Sequence, residues 1–148
     1  GPAGPKGPTG NVSAQGYDLS VFSAVIRNDW SNKNFDGKDL SGMEIWQNPS
    51  DRIENSSFKN ANLNNVYFSS EFYENCNFSG AIIRGTDLEG VTFRNCNFMG
   101  ATLKYILREW DHEGDGIIFK DWKEMLGSHT RFINCTMPDG SKRNDPEP

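Results

Sequence analysis

Residues able to do chemistry are few. The two histidines, His112 and His129, are tied to no obvious nucleophile. Serine, aspartate and glutamate are abundant, but they occupy positions that read as solvated surface. No phosphate-cradling glycine loop, HExxH or CxxC is present. The expectation is no catalytic residues and no enzyme. Three cysteines, Cys76, Cys96 and Cys135, cannot all pair within one chain, so a disulfide framework is not expected.

One segment has metal-ligand character, EWDHEGDGIIFKDW. Asp111, Glu113 and Asp115 alternate along it and Gly116 follows, an order in which carboxylates can wrap Ca2+ in oxygens. In this half it resembles an EF-hand. The second half departs, because the twelfth position holds Trp122 and not the bidentate Glu. Shortening the loop by one residue brings Asp121 there, so the weak calcium candidate is Asp111, Asp115 and Asp121. The competing reading is a polar turn between two helices, LKYILREW and FKDWKEMLG, with Gly127 as the stop. No cofactor is required.

What must position these residues is a repeat. From Ser56 the chain divides into fives: SSFKN, ANLNN, VYFSS, EFYEN, CNFSG, AIIRG, TDLEG, VTFRN, CNFMG, ATLKY. The centres are Phe58, Leu63, Phe68, Tyr73, Phe78, Ile83, Leu88, Phe93, Phe98 and Leu103, all large and apolar. Two residues earlier the side chain is usually small, as at Ala61, Cys76, Ala81, Cys96 and Ala101. The two places after each centre are polar or Gly. Neither a helix of period 3.6 nor a strand of period 2 produces strict fives over this length.

The pattern resembles the pentapeptide-repeat family, whose motif is often written A(D/N)LXX; ANLNN, TDLEG and CNFSG match it closely. The resemblance implies a mainly β fold, a short right-handed four-sided β-helix with one centre pointing inward on each side. Positions twenty apart then stack at about the inter-strand spacing of 4.8 Å. Four core ladders follow: Phe58, Phe78 and Phe98; Leu63, Ile83 and Leu103; Phe68 and Leu88; Tyr73 and Phe93. Cys76 and Cys96 stack inside as small hydrophobes, while Cys135 is expected on a different side.

The remainder is organised around this run. Residues 1–10, GPAGPKGPTG, place Gly at 1, 4, 7 and 10, and only Gly fits the axis of a triple helix. The segment resembles collagen, or collagen-like stretches of phage and bacterial surface proteins; the bland alternative is a flexible linker. Residues 11–30 read as a linker or base cap, with LSVFSAVIRN either a short helix or irregular. Residues 31–139 read as the β-helix, beginning in a first coil open at its base (Phe35, Leu40, Ile45). The register breaks over Trp46–Asn55, and Glu71 marks a distorted corner. A helical hairpin is expected to be inserted over 104–129, after which Phe132 and Met137 resume as centres. Residues 140–148 read as a mobile tail.

With 35% hydrophobic residues but ten Phe among 148, the chain suits a thin fold around a column of rings. A net charge of −5 argues against nucleic-acid binding through phosphates. No apolar run is long enough to insert in a membrane. Some pentapeptide-repeat proteins mimic duplex DNA and inhibit topoisomerases, and that alternative remains open. It calls for a long acidic rod, whereas residues 55–103 carry four acids (Glu71, Glu74, Asp87, Glu89) against three bases (Lys59, Arg84, Arg94). The preferred expectation is a structural or attachment module of a fibre or surface appendage, such as a phage tail or head fibre or decoration protein. It would be a homotrimer meeting other virion or cell-surface proteins at a virion or extracellular surface. The aromatics Trp30, Trp46, Trp110 and Trp122 are expected at contacts or in the insertion.

Overall fold

The computed structural model of the chain describes residues 19–48, 50–111, 114–124 and 130–148. Each pentad is a short extended stretch closed by a corner, and the residue at the corner makes it possible. Asn60, Asn65, Asn75, Gly80, Gly85, Gly90, Asn95 and Gly100 all have φ between 53° and 82°. Glycine enters this left-handed region freely, and Asn tolerates it better than most residues. The Asp or Asn preceding a centre folds back onto the chain. Asn34 Oδ1 accepts from Asp36 N (2.8 Å), Asp39 Oδ1 from Ser41 N (3.1 Å), and Asn77 and Asn97 Oδ1 from Ser79 and Met99 N (both 2.9 Å). These are local Asx turns. Where the second pentad position is Asp or Asn, its side chain thus helps to shape the coil.

Helix α1 (Leu19–Arg27) precedes strands β1 (Glu44–Ile45), β2 (Arg52–Glu54), β3 (Tyr67–Phe68), β4 (Phe72–Glu74), β5 (Ile82–Thr86) and β6 (Thr92–Arg94). Then come β7 (Thr102–Asp111), β8 (Gly114–Asp121), a 3-10 turn at Trp122–Glu124, β9 (Arg131–Ile133), β10 (Cys135–Thr136) and β11 (Lys142–Arg143). Successive coils pair in parallel, and four faces result. The first is joined by the bridges Asn34↔Ser57, Ser57↔Asn77, Asn77↔Asn97 and Asn97↔Thr136. The second runs through Asp39↔Asn62, Asn62↔Ile82 and Ile83↔Leu103, the third through β1 and β3. The fourth is the sheet β2-β4-β6-β9, with Ile53, Tyr73, Phe93 and Phe132 in one register.

Inside, Phe58, Phe78 and Phe98 stack face to face at 5.0 and 5.1 Å, within 5° of parallel. Tyr73, Phe93 and Phe132 form a second pile at 5.3 and 5.4 Å. The piles meet edge-on, Phe93 lying 5.1 Å from Phe98 at 85°, a favourable geometry for aromatic quadrupoles. All ten expected centres are buried.

Several expectations are corrected. The base is not open: Ala24 of α1 and Trp30 are fully buried, and Trp30 lies 5.1 Å over Phe35. A stack of rings leaves an apolar end that needs a lid, so Trp30 is core and not an exposed contact. The break expected over Trp46–Asn55 is shorter, because Arg52–Glu54 is β2 and Ile53 already fills the fourth face. At Glu71 the interior place is taken by Ser70, fully buried and accepting from Gln47 N at 3.0 Å, which leaves Glu71 outside.

Over its described residues, 104–111 and 114–121, the insertion is a pair of strands in place of the helical hairpin expected over 104–129. β7 continues out of the second face and folds against β8 from Lys104↔Asp121 to Asp111↔Gly114. Its root is already paired with β5, and Tyr105, Ile106, Ile117, Ile118 and Phe119 are residues that favour strands. The hairpin takes the place of a third-face pentad, so Phe132 aligns with Phe93 on the fourth face. The tail expected to be mobile over 140–148 folds back onto the last coil: β11 pairs antiparallel with β10, and Asp145 N donates to Phe132 O at 2.8 Å. Residues 1–10, His112, Gly127 and His129 lie outside the described residues.

Candidate functional site

The backbone places the calcium candidate Asp111, Asp115 and Asp121 along a strand pair. Asp111 pairs with Gly114 and Asp115 with Trp110 at the tip of the hairpin, whereas Asp121 pairs with Lys104 at its root. From Asp115 to Asp121 is six steps of strand, roughly 20 Å at the extended rise. The Asp121 carboxylate accepts from Lys123 N at 3.1 Å.

The thiols form one interior column. Ser56 Oγ donates to Trp30 O, and in the coils above it Cys76 Sγ donates to Ile53 O (3.7 Å), Cys96 Sγ to Tyr73 O (3.4 Å) and Cys135 Sγ to Phe93 O (3.2 Å). Cys135 therefore lies on the same side as its fellows, contrary to expectation, because counting fives across the hairpin misses the skipped face. All three are buried and free. Burial pushes the Cys96 thiol well above its ordinary range, which keeps it protonated and unreactive. Burial likewise pushes up the Tyr73 phenol, whose OH has no hydrogen-bond partner among the described residues.

The outer surfaces differ in charge. On the fourth face Arg52 Nη1 lies 2.8 Å from Glu74, and Arg94 lies 3.5 Å from the same carboxylate and pairs in turn with Glu147. The Arg52 hydrogen bond holds the Glu74 carboxyl below its usual range. On the third face Ser69 Oγ donates to Glu44 Oε1 at 2.8 Å. Trp46 and Tyr67 stand out there at 40% and 65% exposure, with exposed Asp87 and Glu89 in the next coil. The grooves between these residues are open, including one lined by Tyr67, Ser69, Glu71 and Glu89. Such a surface offers ring faces and acceptors for contact.

Phe22, Val25 and Ile26 project from α1 into solvent. The signal was present in LSVFSAVI, which has apolar residues on more of the helix than one buried stripe requires. Trp122 packs part-buried against the core, and Trp110 lies in β7. Among the described residues no helix is long and apolar enough to cross a membrane.

The geometry is that of a solenoid built on five-residue repeats. The family model for pentapeptide repeats matches residues 74–104 in eight copies, so this part of the chain is pentapeptide-repeat structure. Among solved structures the chain is similar to a pentapeptide repeat protein from the Arabidopsis thaliana thylakoid lumen. That match has 19% identity and a TM-score of 0.35, and it covers 90% of this chain and 77% of that one. No curated protein matches the sequence.

Proposed function

We propose that the chain is a non-catalytic structural module, the head of a stalk-and-head fibre or surface appendage such as a virion fibre or decoration protein. The observation that carries this reading is the Gly-X-Y frame of Gly1–Gly10, set eight residues before the helix that caps a closed β-helix. A rigid head behind a collagen-like segment suits display and attachment. The polar side chains of the coils are spent on turns and ion pairs, and the third face, with Trp46, Tyr67 and their acidic neighbours, is the contact surface. Mimicry of duplex DNA fits less well, since Arg52, Glu74 and Arg94 alternate in sign along the fourth face. The module works at a virion or extracellular surface, through protein partners, without binding nucleic acid and without a cofactor. Antibodies raised against the head and applied to intact particles or cells of the source are expected to label their outside. Labelling that requires permeabilisation would refute the reading.

A further inference from the structure

Helix α1 has two apolar sides and only one core to fill. Val21 and Ala24 lie against the coil. Phe22, Val25 and Ile26, spaced i, i+3, i+4 on the other side, remain 61%, 45% and 64% exposed. Together they show an apolar patch of roughly 300 Å2, comparable with the largest patch on a typical monomer, which is often functional. Helix propensity does not demand it, because β-branched and aromatic residues are middling helix formers. A solvated cap would carry charge there. Yet residues 19–26, LSVFSAVI, hold no charged side chain, so copies of this face can meet without burying an ion or opposing like charges.

The position of the helix narrows what covers it. Only eight residues separate Gly10 from Leu19. A Gly-X-Y chain gains its packing and its interchain hydrogen bonds only beside two others, and three triplets are too few to hold them alone. The same end of the chain therefore bears a segment that needs two partner copies and, a short tether away, an uncharged apolar face that needs a cover. Each association raises the effective concentration for the other, to the millimolar range for a tether this short.

We propose that α1 is the surface through which three copies of this chain join, with Phe22, Val25 and Ile26 of each helix packed together below the three heads. This rests on the stalk-and-head reading, because the threefold count comes from the Gly-X-Y frame. The contact is heterologous and closes as a ring. The test is the sedimentation mass of the full chain and of Phe22→Ser/Ile26→Ser, with Ile82→Ser, exposed on a coil side, as control. The wild type and the control are expected at three times the 16.6 kDa of one chain, and the double variant at a single chain with an unchanged β spectrum. If the double variant does not fold, Ile26→Cys replaces it. With the native thiols buried, mild oxidation is expected to link copies through residue 26 alone, and no linkage would overturn the contact. A wild type and a double variant that are both trimers overturn this inference and leave the stalk-and-head reading in place. A wild-type dimer lost on substitution overturns the threefold arrangement. A wild-type single chain overturns the inference and the trimeric fibre together, and flotation of that single chain with phosphatidylcholine vesicles would make the patch a lipid-facing surface instead.

Discussion

The two ends of the β-helix meet the same demand in opposite ways. A parallel coil ends in unpaired amides and carbonyls above an apolar floor, and such an edge pairs with whatever strand is offered. At the top the chain covers its own edge with polar groups. Asp145 accepts from Phe132 N at 2.9 Å and donates back through its amide, and Asn144 Oδ1 accepts from Asn134 N at 3.1 Å. Arg131 reaches Pro146 O at 2.9 Å, and Arg143 is 3.0 Å from Asp145 while lying over the Phe132 ring. At the base the cover is a helix that buries Ala24 and presents Phe22, Val25 and Ile26 to solvent. The top is finished for water. The base leaves an apolar face in solvent.

The largest effect should come from the column on which both ends rest. Phe78→Ala removes the ring between Phe58 and Phe98 and should cost about 3–5 kcal/mol, read from the urea midpoint. A loss under about 1 kcal/mol would place Phe78 outside the core. Next comes the difference between the ends. Asp145→Ala leaves the Phe132 amide unpaired at the top and should cost about 1–3 kcal/mol. Ile26→Ser at the base, measured at high dilution, should change stability by about 0.5 kcal/mol, as exposed positions do. Equal costs would erase the contrast.

Tyr73→Phe should stabilise by about 1 kcal/mol, since it deletes a buried hydroxyl that has no partner among the described residues and keeps the ring between its neighbours. A destabilised variant would mean that the hydroxyl is bonded. The smallest effect concerns the fourth face. The Glu74 carboxyl titrates lower folded than unfolded, chiefly through its Arg52 hydrogen bond. Its contribution is thus complete above the ordinary range near 4.3 and is lost as pH falls through the folded value. For so exposed a pair it is about 1 kcal/mol or less. Glu74→Gln should flatten that part of the stability–pH profile between pH 5 and 3, and an unchanged profile would show that Glu74 does not titrate differently on folding.

The ladders were legible because each pentad carries its own instructions: a large centre, an Asp or Asn to make the turn, and an Asn or Gly to enter positive φ. Ten centres could be placed from the spacing alone. The hairpin was not legible, because Leu103, Ile106, Leu107 and Trp110 also fit a helical stripe. Pairing of the β7 root with β5 overrode that local pattern. The skipped third-face pentad also puts Cys135 on the side of Cys76 and Cys96, where counting in fives does not place it. The tail GSKRNDPEP has no apolar periodicity, and its docking rests on side-chain acceptors meeting an open edge, which no local pattern encodes. The spacing of Asp111, Asp115 and Asp121 along the backbone was illegible for the same reason as the hairpin, because a helix–loop–helix would gather what a strand pair spreads along its length. The grouping of Trp46, Tyr67, Asp87 and Glu89 on the third face required the fold first, since they share a side only after coiling.

The contrast between the ends is tested most directly by amide hydrogen exchange on the full chain at two concentrations, one well below and one well above the assembly range. Protection of the α1 amides at 19–27 should rise with concentration, while that at Phe132, Asn134 and Lys142–Asp145 should stay constant. Protection of α1 that is the same at both concentrations, or that rises at the top instead, would contradict the account.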